Sequence, residues 1–298
     1  MWNQLKTILL FGALSALLIG IGGALAPNAL GVFIAIAAVM NLVGYFWSGK
    51  IVLAMYRARE LAYEEAPALH DMVAELASRA NIPTPRLFLV PGEQPNAFAT
   101  GRNPAHGIVA VTEGLVALLD HREIRGVLAH ELAHIKNRDV LISTAAAIIA
   151  SAITTVANVL SFGALFGGHQ DDEDHGGGVL GGLLMIIIAP LAATLIQLAI
   201  SRSREFAADE TGARIAGDAD GLIGALSKLD HASRVLPPAH AEPATANLFI
   251  VNPFGALDTL SRWFATHPPM AERIARLRSL GISPRSARWR SRSHYSEA

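Results

Sequence analysis

The chain has 298 residues, 52% of them hydrophobic and only 16% charged, with a mean hydropathy of +0.37. Soluble globular proteins carry about 25% charged residues, so the composition argues against a purely aqueous chain. The net charge of −1 offers no overall basic bias toward nucleic acid, and the lack of cysteine excludes disulfides and thiolate metal ligands.

Two apolar segments come first. Residues 8–26 are apolar or Gly/Ser throughout, and 29–47 are interrupted chiefly by Asn41. A helix rises about 1.5 Å per residue and the hydrocarbon core is about 30 Å thick, so about 20 residues suffice to span it. A cleaved signal peptide is the competing reading of the first segment, since Ala24-Leu25-Ala26 imitates a cleavage site. Pro27 and the second apolar segment follow almost at once, which favours a membrane hairpin.

The next stretch, 49–140, is polar enough for water. Pro67 to Arg79 reads as an amphipathic helix with Leu69, Met72, Val73, Leu76 and Ala77 on one stripe. Arg86 to Val90 reads as a strand and Pro91-Gly92 as a turn. Asn96 to Ala99 is extended or turning; Asn96 either bonds a substrate backbone or fixes a turn. Gly107 to Thr112 reads as a further strand. If it lies at a sheet edge, Gly107, Val109 and Val111 would pair with a substrate peptide; an interior strand is the alternative. Thr112 can cap a helix containing Leu115 and Leu119, and Asp120 or His121 precedes another.

That last helix carries His130-Glu131-Leu132-Ala133-His134, with Ile124, Val127, Leu128, Leu132 and Ile135 as its apolar stripe. Histidines four apart share a helix face and can reach one zinc ion. Zinc lowers the pKa of water, and Glu131 stands beside the pair to take the proton as that water attacks a peptide carbonyl. Asn137 and Asp139 can fasten the end of this helix to backbone; Arg138 or Arg202 could pair with Asp139.

Two further apolar segments follow. Residues 141–166 have no charge in 26 residues and 177–200 none in 24. A buried hairpin in a soluble enzyme competes with two more spans, but length and lack of charge favour spans. Lys6, Lys50, Arg57, Arg59, Lys136, Arg138, Arg202 and Arg204 flank the four segments, while the acidic loop 169–175 has no Lys or Arg. The positive-inside rule then puts both termini and both polar pieces in the cytoplasm.

In the second polar piece, Ser201 to Asp209 leaves the fourth segment on the same side as His130. Glu205 can complete a His, His, Glu ligand set, and Asp209, one turn on, can orient a ligand imidazole or form a surface pair with Arg. Helices are expected over 204–216, 221–235 and 269–280, ended by Gly217 and Gly281 where glycines follow. His267, before Pro268-Pro269, could donate to a developing oxyanion or cap the helix; Arg273 could do the same or bond a ligand carboxylate. From 283 a Ser/Arg-rich tail carries Arg285, Arg288, Arg290 and Arg292, either solvated or against anionic headgroups.

The run His130 to Asp139, the hydrophobic pair after it, Ser201 to Asp209, the two N-terminal segments and His267-Pro268-Pro269 together resemble the HtpX family of membrane-bound heat-shock zinc peptidases. The resemblance covers nearly the whole chain. It implies one zinc per chain held by His130, His134 and Glu205, with Glu131 as catalytic base and the site facing the cytoplasm. It also implies misfolded membrane proteins and unstructured polypeptides as substrates, in stress-related quality control. Association with other membrane quality-control proteases is a family-derived expectation. No G-x-x-x-x-G-K-[ST] motif is present, so no P-loop is expected.

The fold expectation is an α+β, zincin-like integral membrane metallopeptidase, mostly helical, with a small β-sheet and four transmembrane helices. It divides into a hairpin (1–48), half a catalytic domain (49–140), a second hairpin (141–200), the other half (201–282) and a basic tail (283–298). A processing peptidase for one defined substrate and a metal-stabilised scaffold are the competing functions.

Overall fold

The computed structural model describes residues 30–142, 144, 202–235, 250 and 268–283, and part of 5–29. The second hairpin, the acidic loop, His267 and the basic tail lie outside the described residues, apart from the first positions of residues 141–166.

Helix α1, Leu30–Met55, is apolar on all sides until Lys50 apart from Asn41 and Ser48. Val32 and Val39 are 58% and 61% exposed, which suits lipid rather than water. It is the one helix among the described residues long and apolar enough to cross a membrane. The first segment packs beside it where described: Asn41 Nδ2 donates to Ser15 Oγ at 2.7 Å, and Gly44 faces the Phe11 ring. The last turns of α1 behave differently, with Ser48, Gly49, Val52 and Leu53 buried against protein.

The sheet contains β1 (Arg59–Glu60), β2 (Arg86–Val90), β3 (Ala97–Thr100) and β4 (Ile108–Thr112), in the order β1-β2-β4-β3. It is mixed: β2 and β4 are parallel from Arg86↔Ile108 to Val90↔Thr112, and the outer pairs are antiparallel. This corrects the edge-strand expectation for 107–112. β4 is interior, Val109 and Val111 are 0% exposed, and a Cβ on Gly107 would meet Ile135 at 3.2 Å. Gly107, Val109 and Val111 therefore present nothing to a peptide. The physical sign was in the residues: Ile-Val-Ala-Val is a continuous apolar run, as expected for a strand covered on both faces. The edge beside the helices is β3. β1 has two charged residues and too little length to register as a strand in sequence, as suits the opposite edge.

Each face of the sheet has its own core. One side carries Leu87, Ala97, Ala99, Val109 and Val111 under the helical layer. The other carries Phe88, Val90, Phe98, Ile108 and Ala110, covered by Val52 and Leu53 of α1. The end of α1 thus covers one face of the sheet while the helical layer covers the other.

The helical layer comprises α2 (Pro67–Ala80), α3 (Glu113–Leu118), α4 (His121–Asn137), α5 (Arg202–Ala216), α6 (Asp220–Val235) and α7 (Met270–Ser279). Local chemistry sets the ends. Pro67 opens α2, Thr112 Oγ1 accepts from the Leu115 N–H to cap α3, and Asp120 and Glu123 form a reciprocal box at the start of α4. Gly217, at φ 71°, stops α5. α4 lies at the centre, packed on α5, α6, α2 and β3. Its approach to α6 needs Gly126, where a Cβ would fall 2.4 Å from the Leu222 nitrogen.

Candidate metal centre

The four-residue spacing on α4 places His130 and His134 on one face, with their Nε2 atoms 3.2 Å apart. α5 delivers Glu205 to the same point. Its Oε2 lies 3.8 Å from His130 Nε2 and its Oε1 lies 3.7 Å from His134 Nε2. α5 can come this close because residue 212 is glycine: a Cβ there would sit 2.9 Å from both the nitrogen and the Cα of His130. Gly212 is two turns beyond Glu205, so it fixes the helix face that carries the carboxylate.

The remaining nitrogen of each imidazole faces an acid. Asp209 Oδ1 lies 3.0 Å from His130 Nδ1, and both oxygens of Asp139 lie 3.2 Å from His134 Nδ1. With a single proton on each Nδ1, both Nε2 lone pairs can converge on one ion; in the metal-free protein His134 holds a second proton that the ion must displace. Two nitrogens each 2.0–2.1 Å from one tetrahedral ion are about 3.4 Å apart, close to the spacing observed here. His130, His134 and Glu205 are the cluster of metal-ligating type among the described residues, with their donor atoms all within 4.8 Å. The donor set and its spacing fit zinc.

Arg273 of α7 anchors the acids. It is 0% exposed and grips Asp209 with Nε–Oδ2 at 2.8 Å and Nη2–Oδ1 at 2.6 Å. Its Nη1 donates to the Ile250 carbonyl at 3.1 Å and lies 3.7 Å from Glu205 Oε2. The expected bond to a ligand carboxylate is not what Arg273 makes: its hydrogen bonds go to Asp209, and Glu205 lies at 3.7 Å. Asp209 is accordingly a buried His–Asp–Arg link rather than a surface pair.

Glu131 is buried, and the Ala99 backbone of β3 faces its carboxylate. The charges of the protein groups set the protonation pattern. Burial pushes Glu131 up to about 7, with Glu205 adding and His134 opposing. Burial also lowers His130. For His134, burial would lower the pKa, but Asp139 first and then Glu205 and Glu131 outweigh it and push it up to about 10. Burial opposes the Asp209 charge, yet Arg273 and His130 hold that carboxyl below its usual range.

Two further expectations need correction. Asn96 is not available to a substrate: its Oδ1 accepts from the Ile250 N–H at 3.1 Å, and its backbone N–H donates to Thr112 Oγ1 at 2.8 Å. A buried carboxamide must find partners, and the 250 segment supplies one. Asp139 bonds an imidazole instead of fastening backbone or pairing with Arg138 or Arg202; the nearby cation coupled to it is Arg204. The cause is Arg138 in the left-handed conformation at φ 57°, which turns the chain back beneath His134. Asn137 is the last residue of α4 and half-buried. Sequence reasoning missed Gly212 and Ile250. A glycine spaced seven residues from Glu205 was the available sign of the first; the second had none.

The pattern of peptidase family M48 matches residues 63–281, and the chain belongs to this family of metallopeptidases. It is 55% identical over 282 residues to a Protease HtpX homolog of Pelotomaculum thermopropionicum, covering 94% of this chain and 100% of that one. A Protease HtpX homolog of Thermodesulfovibrio yellowstonii is 54% identical over 279 residues, covering 93% and 98%. Within M48 the chain is therefore of the HtpX type. The crystal structure of S. mikatae Ste24p aligns at 20% identity with a TM-score of 0.49, covering 89% of this chain and 62% of that one.

Proposed function

We propose that the chain is a zinc-dependent endopeptidase of the cytoplasmic membrane. The observation that carries this reading is the convergence of two acid-anchored imidazoles and Glu205 beside the buried Glu131. His130, His134 and Glu205 would hold the ion, leaving one position open. Zinc, when bound, supplies Lewis acidity toward the scissile carbonyl and lowers the pKa of water.

The chain's own groups do the rest. Thr112 N–H bonds the Asn96 carbonyl, so Asn96, Phe98 and Thr100 face β4, and the backbone groups of Ala97 and Ala99 face away from it. The Ala99 backbone faces Glu131 and opposes the rise of its carboxyl. The residues of β3 are buried, so a peptide would have to reach the backbone at Ala97, beside Glu131, and pairing there reads any sequence. Water adds to the carbonyl carbon, Glu131 takes its proton, and the same carboxyl returns a proton to the departing amine nitrogen as the C–N bond breaks. Burial raises the Glu131 carboxyl above its ordinary range, which favours its holding the proton it then returns.

Four spans, with both termini and the site in the cytoplasm, follow from the flanking charges. Backbone readout favours misfolded or damaged membrane proteins as substrates, in stress-related quality control. The test is Glu131→Gln in detergent without chelators, with zinc content and casein cleavage both measured. Zinc retained and cleavage lost supports the mechanism; full cleavage by the variant refutes it.

A further inference from the structure

The cations of the described residues divide by position. Those away from the membrane segments are ion-paired, as in Arg86–Glu60, Arg125–Glu75, Arg214–Glu210 and Lys228–Glu123, with Arg278 the exception. Lys50, Arg57, Arg102, Lys136, Arg138 and Arg202 form no ion pair among the described residues. Five of them directly flank an apolar segment in sequence. Arg102 does not, and the fold brings it there.

Arg102 belongs to the turn after β3. Gly49 of α1 lies against Gly101, and the Arg102 guanidinium carbon sits 5.4 Å from the centroid of the Phe46 ring. Phe46 is the middle of Tyr45-Phe46-Trp47, all three exposed at the end of the apolar stretch of α1. Aromatic side chains of this kind mark the headgroup level of a membrane. Arg102 Nη2 donates to His106 Nε2 at 2.6 Å, and His106 Nδ1 donates to Asn103 Oδ1 at 2.8 Å. This chain of bonds braces the guanidinium and leaves its other N–H groups without a protein acceptor among the described residues. Gly101, at φ 126°, makes the turn possible, since a Cβ would lie 2.2 Å from the His106 carbonyl oxygen.

We propose that Arg102, braced by Phe46 and His106, binds the phosphate of an anionic phospholipid headgroup in the cytoplasmic leaflet. A guanidinium fork matches two phosphate oxygens. The charge of Arg102, with the other uncompensated cations that flank apolar segments, selects net-negative over zwitterionic lipid, because each basic group at the surface adds to the attraction. The bound headgroup anchors the end of β3, where Thr100 Oγ1 already meets Thr144 Oγ1 at 3.1 Å at the start of the third apolar segment. The inference rests on the reading of α1 as a membrane span.

The test is native mass spectrometry of the full, zinc-loaded chain from micelles holding equal phosphatidylglycerol and phosphatidylcholine. The wild type retains phosphatidylglycerol preferentially. R102Q loses about fivefold of that preference, with zinc content and Tm unchanged, and R278Q keeps it. If R102Q does not fold, R102K carries the test and falls between the two, because it keeps the charge without the fork. A wild-type preference in whichever Arg102 variant is read, or an equal loss in R278Q, overturns the proposal. Displacement of the lipid by inorganic phosphate at matched concentration overturns it in favour of a free-anion site. Alkaline carbonate extraction separates the failures: a chain that leaves the membrane sinks the span itself, whereas an inserted chain without lipid preference sinks only this site.

Discussion

Gly212→Ala probes how the site is assembled, because it adds one methyl group where α5 meets α4. That Cβ would lie 2.9 Å from the His130 nitrogen and Cα and 3.1 Å from the Ala129 carbonyl carbon. Carbon contacts are comfortable at about 3.5–4.0 Å, so α5 must recede by roughly 0.5–1 Å. Alanine in a helix interior contributes about 1 kcal/mol over glycine, but overpacking a close helix contact costs about 1–3 kcal/mol. Stability therefore falls slightly or stays level. Zinc affinity should fall much more clearly. Ligand distances tolerate only about 0.2 Å, and Glu205 rides on the helix that moves. A loss of at least about tenfold in zinc affinity is expected, equivalent to about 1.4 kcal/mol. Competition against a chromogenic chelator in detergent measures it. Gly126→Ala is the control, since its clash lies between α4 and α6, against Leu222. That variant should lose stability while its folded fraction binds zinc normally. Wild-type zinc affinity in Gly212→Ala would refute the argument that this contact sets the reach of Glu205.

Further outcomes follow from the same geometry. Asp209→Asn should weaken zinc binding by about 10–100-fold, read by the same competition; unchanged affinity would contradict its role in orienting His130. Arg273→Gln leaves the Asp209 charge buried and unpaired, so chemical denaturation should show a loss of about 3–5 kcal/mol, and a loss under 1 kcal/mol would show that the pair is not the anchor. Because His134 is held protonated up to about 10 in the metal-free protein, zinc must displace a proton. Apparent affinity should rise by about tenfold per pH unit between about pH 7 and 9 and flatten near 10; a flat profile over that range, with free zinc controlled, would contradict the raised pKa. Single cysteines at positions 171–174, in a chain with no native cysteine, should react with an impermeant reagent only from outside the cytoplasm, and cytoplasmic labelling would overturn the topology.

The helices of the catalytic part among the described residues and the His130, His134, Glu205 cluster were legible in the sequence because their signals are local. His130 and His134 share a turn, Glu205 sits in a charged run just past an apolar stretch, and capping residues bracket α4. The strands over 86–90 and 108–112 were also readable from their apolar runs. What the sequence withheld was pairing. Whether β4 is central or at an edge depends on β3 folding back beside it, a non-local event that Ile-Val-Ala-Val announces only through the lack of alternation. For Asn96 the sequence left a substrate bond and a fixed turn equally open, because nothing local shows a partner 154 residues away at Ile250. Asp139 was misread in detail because helical periodicity fails at Arg138, whose left-handed turn carries the acid back under His134. Arg273 reached Asp209 across 64 residues, and a buried arginine on a short charged helix gives no sign of its destination.

The central claim is that His130, His134 and Glu205 hold one zinc while Glu131 stays free for the proton. Zinc stoichiometry of purified Glu205→Ala and Glu131→Gln, with X-ray absorption on the latter, tests it most directly. The account predicts zinc lost or severely weakened in Glu205→Ala. It also predicts one zinc per chain in Glu131→Gln, bound by two imidazoles and a carboxylate at about 2.0–2.2 Å. Full zinc in Glu205→Ala, or none in Glu131→Gln, would contradict it.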